Sequence, residues 1–226
     1  YNSLPSVPGY SDSQAEDARG ADVGAMMWQH LPYTVQENRA LRSGTLPLWN
    51  RFASCGVTLL GQGQSMLGDP LQLLVVATNA APWAFDLKYL LAKALFGCGL
   101  AWCVWALTRD FAASAMLGFA SVFIAFFNYR LNHPSIFTMG YAPWILVAWF
   151  HLAASPDRQS FRRSLLLWYA ANWMVITSGT VKEAYLLGLS LNLTGAVLYF
   201  VTTRRADQKM RRALIRRHRR QPRLVR

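Results

Sequence analysis

Residues Trp83–Thr108 read WAFDLKYLLAKALFGCGLAWCVWALT, twenty-six residues dominated by large apolar side chains. About twenty such residues cross the roughly 30 Å hydrocarbon core of a bilayer as one helix. Four further apolar runs follow, at 112–129, 136–153, 164–179 and 183–203. None alternates with period two, which argues against a membrane barrel. The predicted fold is an all-α membrane protein with about five transmembrane helices in a bundle over 83–203. Composition agrees. The chain is 53% hydrophobic and only 15% charged, with mean hydropathy +0.16, more apolar than an ordinary soluble domain.

Charge orients these runs. Eleven of the 23 Lys+Arg lie between Arg204 and Arg226 against one acid, Asp207, so residues 204–226 carry +10 of the formal +12. The short segment Pro156–Arg163 adds Arg158, Arg162 and Arg163. Basic residues collect on the cytoplasmic side, and two runs separate these segments, so both are expected there. The tail also suits anionic lipid head groups. No nucleic-acid-binding motif accompanies it, and no nucleic acid partner is expected. Counting back, residues 1–82 and the loops near 130–135 and 178–182 are extracytoplasmic. Up to Leu87 the chain holds four Arg against seven acids, in keeping with that side. The expected location is the inner, cytoplasmic membrane, crossed several times.

Within 1–82, Met27, Leu31, Val35 and Leu41 recur at roughly helical spacing over 24–43. Gln29, His30, Gln36, Glu37, Arg39 and Arg42 interrupt them, so this is predicted to be a helix lying at a surface. A second helix is predicted over Leu71–Ala80, after a stretch punctuated by Gly44, Pro47, Asn50 and Pro70. Cys55, Cys98 and Cys103 show no metal or disulfide spacing. Tyr1 opens the chain without a signal-peptide pattern, and the expectation is a piece of a longer protein.

Chemistry-bearing residues cluster on the outer side. Asp22 precedes Trp28-Gln29-His30-Leu31-Pro32-Tyr33, then Ser43-Gly44-Thr45-Leu46-Pro47-Leu48-Trp49-Asn50, and then Asp69-Pro70. Later come Asn132-His133-Pro134-Ser135 and Ser178-Gly179-Thr180-Val181-Lys182-Glu183. The turn with Leu46-Pro47-Leu48-Trp49-Asn50, some twenty residues after an acid, resembles the YfhO-like branch of membrane glycosyltransferases of GT-C architecture. The resemblance covers most of residues 20–203. Two departures stand out: the usual Trp-Asn-Pro here ends in Arg51, and a Gly-His-Pro-like segment reads Gly179-Thr180-Val181.

The resemblance implies transfer of a sugar from a polyprenyl-phosphate donor to a cell-envelope acceptor on the outer face. It also implies a first-loop acid as catalytic base, and the matching position is Asp22. A carboxylate there would take the acceptor hydroxyl's proton and favour an oxocarbenium-like transition state. The plainer role for Asp22 is helix capping, and Glu16, Asp17 and Asp69 compete for the part. Lys182, Arg130, His133 and Lys88 fall near the outer interface, where a cation would neutralise the donor phosphate or simply snorkel. His30 would orient the acceptor or donate to a phosphate, or be an ordinary surface residue. There is no metal-ligand cluster. A divalent ion shared by Asp22 and another acid suits the architecture, but no cofactor is required.

Inside the spans, Lys93 must snorkel, pair or face a cavity, and Asn128, Asn172 and Asn192 are expected to bond between helices. The sequon at Asn192 falls in a span and is set aside. Trp83, Tyr89, Tyr129, Tyr141, Trp144, Trp168 and Tyr199 sit near run ends as an interface belt. The alternative to a transferase is a non-enzymatic membrane protein, either a transporter or an assembly or lipid-handling partner.

Overall fold

A computed structural model describes residues 29–53, 55–59, 64–129 and 133–220. The chain is mostly helical. In order it forms α1 (Leu31–Arg42), β1 (Trp49–Asn50), β2 (Val57–Thr58), α2 (Pro70–Ala77), α3 (Pro82–Thr108), α4 (Phe111–Ser121), α5 (Ala125–Tyr129), α6 (Ser135–Ala154), α7 (Arg158–Thr177) and α8 (Val181–Arg220). Among the described residues three stretches are long and apolar enough to cross a membrane: α3, α6 and residues 181–204 of α8. The other two runs behave differently. The run 112–129 breaks at 122–124 into helices of 11 and 5 residues. Ser121 Oγ donates to the Gly118 carbonyl at 2.7 Å, a local bond that competes with helix continuation. The run 164–179 is the apolar part of the 20-residue α7, whose first turn is polar and arginine-rich.

Helix boundaries follow capping chemistry. Asp157 accepts from the N–H of Gln159 and Ser160, at 2.8 and 2.9 Å. Asp110 accepts from the Ala113 N–H at 3.2 Å. Each satisfies donors that a first helical turn leaves without a partner. Arg109 closes α3 in the left-handed region, φ 59°. The 40-residue α8 runs unbroken from the membrane run into the basic tail.

The central helix is α6. It packs on α3, α7 and α8, while α4 covers α3. One cluster joins Met66, Ala92, Phe96, Phe127, Ile136 and Phe137, and a second joins Tyr141, Ile145, Ala171, Val175 and Ala184. Lipid-like surroundings offer no hydrophobic drive between helices, so close contact depends on small residues. A Cβ on Gly97 would lie 2.9 Å from the Gly118 carbonyl oxygen, and one on Gly140 would lie 2.9 Å from that of Ala92. Gly140→Val is therefore expected to lower stability by about 1–3 kcal/mol. Thermal unfolding in detergent measures this, and an unchanged midpoint would refute the close α3–α6 seam.

Polar seams bind the same helices. Asn192 accepts from the indole N–H of Trp149 (3.0 Å) and Trp168 (2.7 Å), and donates to Asn172 (2.6 Å). Asn172 and Asn192 thus bond between helices as expected. The aromatic belt needs correction at four positions, the first being Tyr89, whose hydroxyl donates to the Phe127 carbonyl at 2.8 Å. Tyr141 is buried, Trp144 donates to the Leu95 carbonyl at 3.0 Å, and Trp168 serves Asn192. Each has an internal partner that a bilayer interface would not supply.

Contacts sort the connections to two ends of the bundle. Trp173, near the end of α7, donates to the Gly68 carbonyl at 3.2 Å, and a Cβ on Gly179 would lie 2.6 Å from the Pro134 carbonyl oxygen. The α2 segment, the start of α6 and the α7–α8 turn therefore share one end. At the other, Trp102 of α3 stacks on His151 of α6 with centroids 5.6 Å apart, beside the turns at Arg109 and Asp157.

Candidate functional site

A buried polar network forms where α1 and α2 meet the bundle. The starting point is Asp69-Pro70. Proline suits the first helical position, and the Asp69 carboxylate accepts the Leu71 N–H at 3.0 Å, starting α2. That carboxylate also accepts the Tyr141 hydroxyl of α6 at 2.6 Å and pairs with the Lys88 ammonium of α3 at 3.1 Å. Both charged side chains are fully buried. Lys88 further donates to Gln72 Oε1 at 2.8 Å and to Met66 sulfur at 3.2 Å, and it lies 4.1 Å from the Phe137 ring centroid. Gln72 donates to Thr34 Oγ1 at 2.9 Å, and Thr34 donates to the His30 carbonyl at 2.8 Å. Four helices are thus tied through one ion pair.

The Lys88 ammonium donates to two acceptors, Gln72 and Met66, and meets the Asp69 carboxylate as an ion pair. Asp69, a competitor for the base, is spent on a cap, a tyrosine and a lysine, and it has no access to an acceptor hydroxyl. Lys88, a candidate for the donor phosphate, is likewise corrected to an internal partner of Asp69. Together they hold the α1–α2 segment on the bundle.

Two further titratable groups lie on the buried face of α1. Glu37 is fully buried and its carboxylate oxygens have no partner of normal hydrogen-bond geometry. Burial pushes its pKa up to about 8, against smaller opposing effects of Gln72 and Lys88. His30 is 1% exposed. Burial, and then the Lys88 charge, lowers its pKa to about 3, so the ring is neutral near pH 7. The surface position expected for His30, and for the face of α1 carrying Tyr33, Thr34, Glu37 and Asn38, is corrected. The helix docks on α2, where Asn38 donates to the Val76 carbonyl at 2.6 Å. A polar sequence face packs inward because its partners are polar too.

These shifts set a pH dependence. The lowered His30 value makes stability rise between about pH 3 and its ordinary 6.5. The raised Glu37 value makes stability fall between its ordinary 4.5 and about 8, because the folded state then binds more protons than the unfolded one. Of these two groups, only Glu37 contributes between pH 6.5 and 8. The melting temperature of the wild type is expected to fall over that window, and that of Glu37→Gln to stay nearly level. Equal slopes would refute the raised pKa of the buried Glu37.

The other sequence candidates are placed as follows. Asp22 and Arg130 lie outside the described residues. His133 caps the start of α6, its Nδ1 3.2 Å from the Ser135 N–H and 2.7 Å from the Ser135 hydroxyl. His133 and Glu183 both line an open cleft of about 410 Å³ between α5, α6 and α8, whose remaining wall includes Phe126, Met139 and Leu186. Lys182 is exposed beside it. Thr138, also lining the cleft, is 1% exposed, and its hydroxyl has no partner of normal geometry. The structure therefore brings His133, Glu183 and Lys182 to one end of the bundle and takes His30 and Lys88 inside. Among the described residues no three His, Cys, Asp or Glu gather as metal ligands. Lys93 faces the rings of Tyr89, Phe123 and Phe127, at 5.3, 5.8 and 5.9 Å.

Tyr141, Gln72, Thr34 and the Lys88–Asp69 pairing escaped the sequence reading. One signal was available: a lysine in an apolar run demands an acid, and Asp69 is the acid that a Pro-started helix carries to it. Compared with protein-family models, with curated proteins and with solved structures, the chain has no match in any of the three.

Proposed function

We propose that the chain is the membrane-embedded and outer-face part of a GT-C-type glycosyltransferase that takes a sugar from a polyprenyl-phosphate donor. The observation that supports this most is the cleft holding His133 and Glu183. Its lining combines polar side chains, among them His133, Ser135 and Glu183, with apolar ones, which suits the two halves of a lipid-linked sugar. It opens at the end of the bundle where the outer segment is clamped. The turns carrying Arg109 and Arg158 lie at the opposite end, which suits an outer-face site and a cytoplasmic tail. In this reading Asp22 is the base, Lys182 and Arg130 face the donor phosphate, and His133 holds the donor head group. The run 112–129 crosses with a break and α7 crosses at its apolar part, making five spans.

The test is transfer from a polyprenyl-phosphate-linked sugar by the full-length protein in vesicles, with donor supplied to either face. Outer-face transfer is the expected result. Absence of transfer from both faces would leave the non-enzymatic reading, a transporter or lipid-handling partner.

A further inference from the structure

We propose that the groove between α1 and the β1–β2 hairpin binds an acidic carbohydrate chain. Two clefts of about 620 and 440 Å³ adjoin there, sharing Gln36, Arg39 and Phe52 in their walls. Adjoining clefts suit an extended ligand better than a compact one. Their chemistry is specific. Phe52 is 67% exposed and Trp49 58% exposed, large aromatic faces left uncovered outside the spanning helices. The faces of aromatic rings are electron-rich and attract the C–H faces of sugar rings. Trp49 is set for this by Gly56 (φ 110°). Even a Cβ on Gly56 would collide with the indole, so the ring lies on bare backbone and turns its other side outward.

Around these rings lie groups that bind hydroxyls and negative charge. Arg39 and Arg51 line the groove, with the Arg51 guanidinium 5.0 Å from the Phe52 ring centroid. Gln36, Ser43 and Thr45 supply polar groups. Among the described residues no carboxylate lines either cleft, so the occupant is anionic. Place in the fold favours carbohydrate over lipid. The groove is on the side of α1 away from α2, and α1 reaches the bundle through α2. Trp49 and Phe52 thus lie on the side of α1 that turns away from α2 and the bundle. Use of the groove for an acceptor rests on the transferase reading; carbohydrate binding itself does not.

Calorimetric titration of the full chain in nanodiscs tests this. The probes are oligogalacturonate, an uncharged malto-oligosaccharide of equal length, inorganic phosphate and phosphatidylglycerol vesicles. The expected result is binding of oligogalacturonate at least about tenfold tighter than the neutral chain, weakened by salt. Trp49→Ala and Arg39→Ala are each expected to weaken it by about fivefold or more, Trp49→Phe to restore most of the loss, and melting temperatures to stay unchanged. Equal binding of both oligosaccharides, binding of neither, or binding indifferent to Trp49 and Arg39 would overturn the proposal. So would preferential capture of vesicles or phosphate through these residues. Binding without any sugar transfer would count against the transferase reading alone.

Discussion

Lys88→Met is expected to destabilise the folded protein by about 3–5 kcal/mol, the usual cost of leaving one partner of a buried ion pair alone. Methionine keeps most of the side-chain volume, so the loss is electrostatic and not a cavity. Asp69 would keep its bonds from Leu71 and Tyr141 but lose the ammonium at 3.1 Å. Gln72 would lose the donor at 2.8 Å. The damage should spread along the chain of bonds to Thr34 and His30 and loosen α1 from α2. Thermal unfolding in detergent is the measurement, with exposed Lys182→Met as control, expected within about 0.5 kcal/mol of wild type. Lys88→Met with Asp69→Asn should recover a large part of the loss, because no unpaired charge then stays buried. A single Lys88 variant as stable as the Lys182 control would refute the clamp.

Asp22→Asn is expected to lower sugar transfer by about 10²–10⁴-fold, the range that a positioned general base contributes. This rests on the transferase reading. The amide keeps the size and polarity of the side chain but cannot accept the acceptor proton, and it removes the negative charge opposite an oxocarbenium-like transition state. Asp17→Asn and Glu16→Gln are expected to retain activity. Burial already removes Asp69 from the contest. The assay is donor-dependent transfer by the full-length protein, with membrane insertion checked by protease protection. Normal transfer by Asp22→Asn would remove the mechanism.

Much of the architecture was legible because bilayer physics is coarse. Long apolar runs mark α3, α6 and α8 to within a residue or two at most ends. The start of α7 was not legible: residues 158–163 read as a connection, but the Asp157 carboxylate caps a helix there by satisfying its first N–H groups. The break at 122–124 was not legible, since nothing in the apolarity of 112–129 marks it. The two-residue strands of the hairpin carry too little pattern to show period two. His30 was misplaced because polarity along one helix says which faces differ, not what each face meets.

From the sequence by itself came the apolar helices, the basic tail, the acidic balance of the N-terminal segment and the turn residues between them. Each follows from local composition or spacing acting on the backbone or against a bilayer. Only tertiary structure decided that Lys88 meets Asp69 and Tyr141, that His30 and Glu37 go inside, and that His133 and Glu183 share a cleft. Those outcomes depend on side chains 19 to 72 residues apart in the chain converging in space. Pairing across such separations is set by how whole helices pack, and no local pattern carries that information.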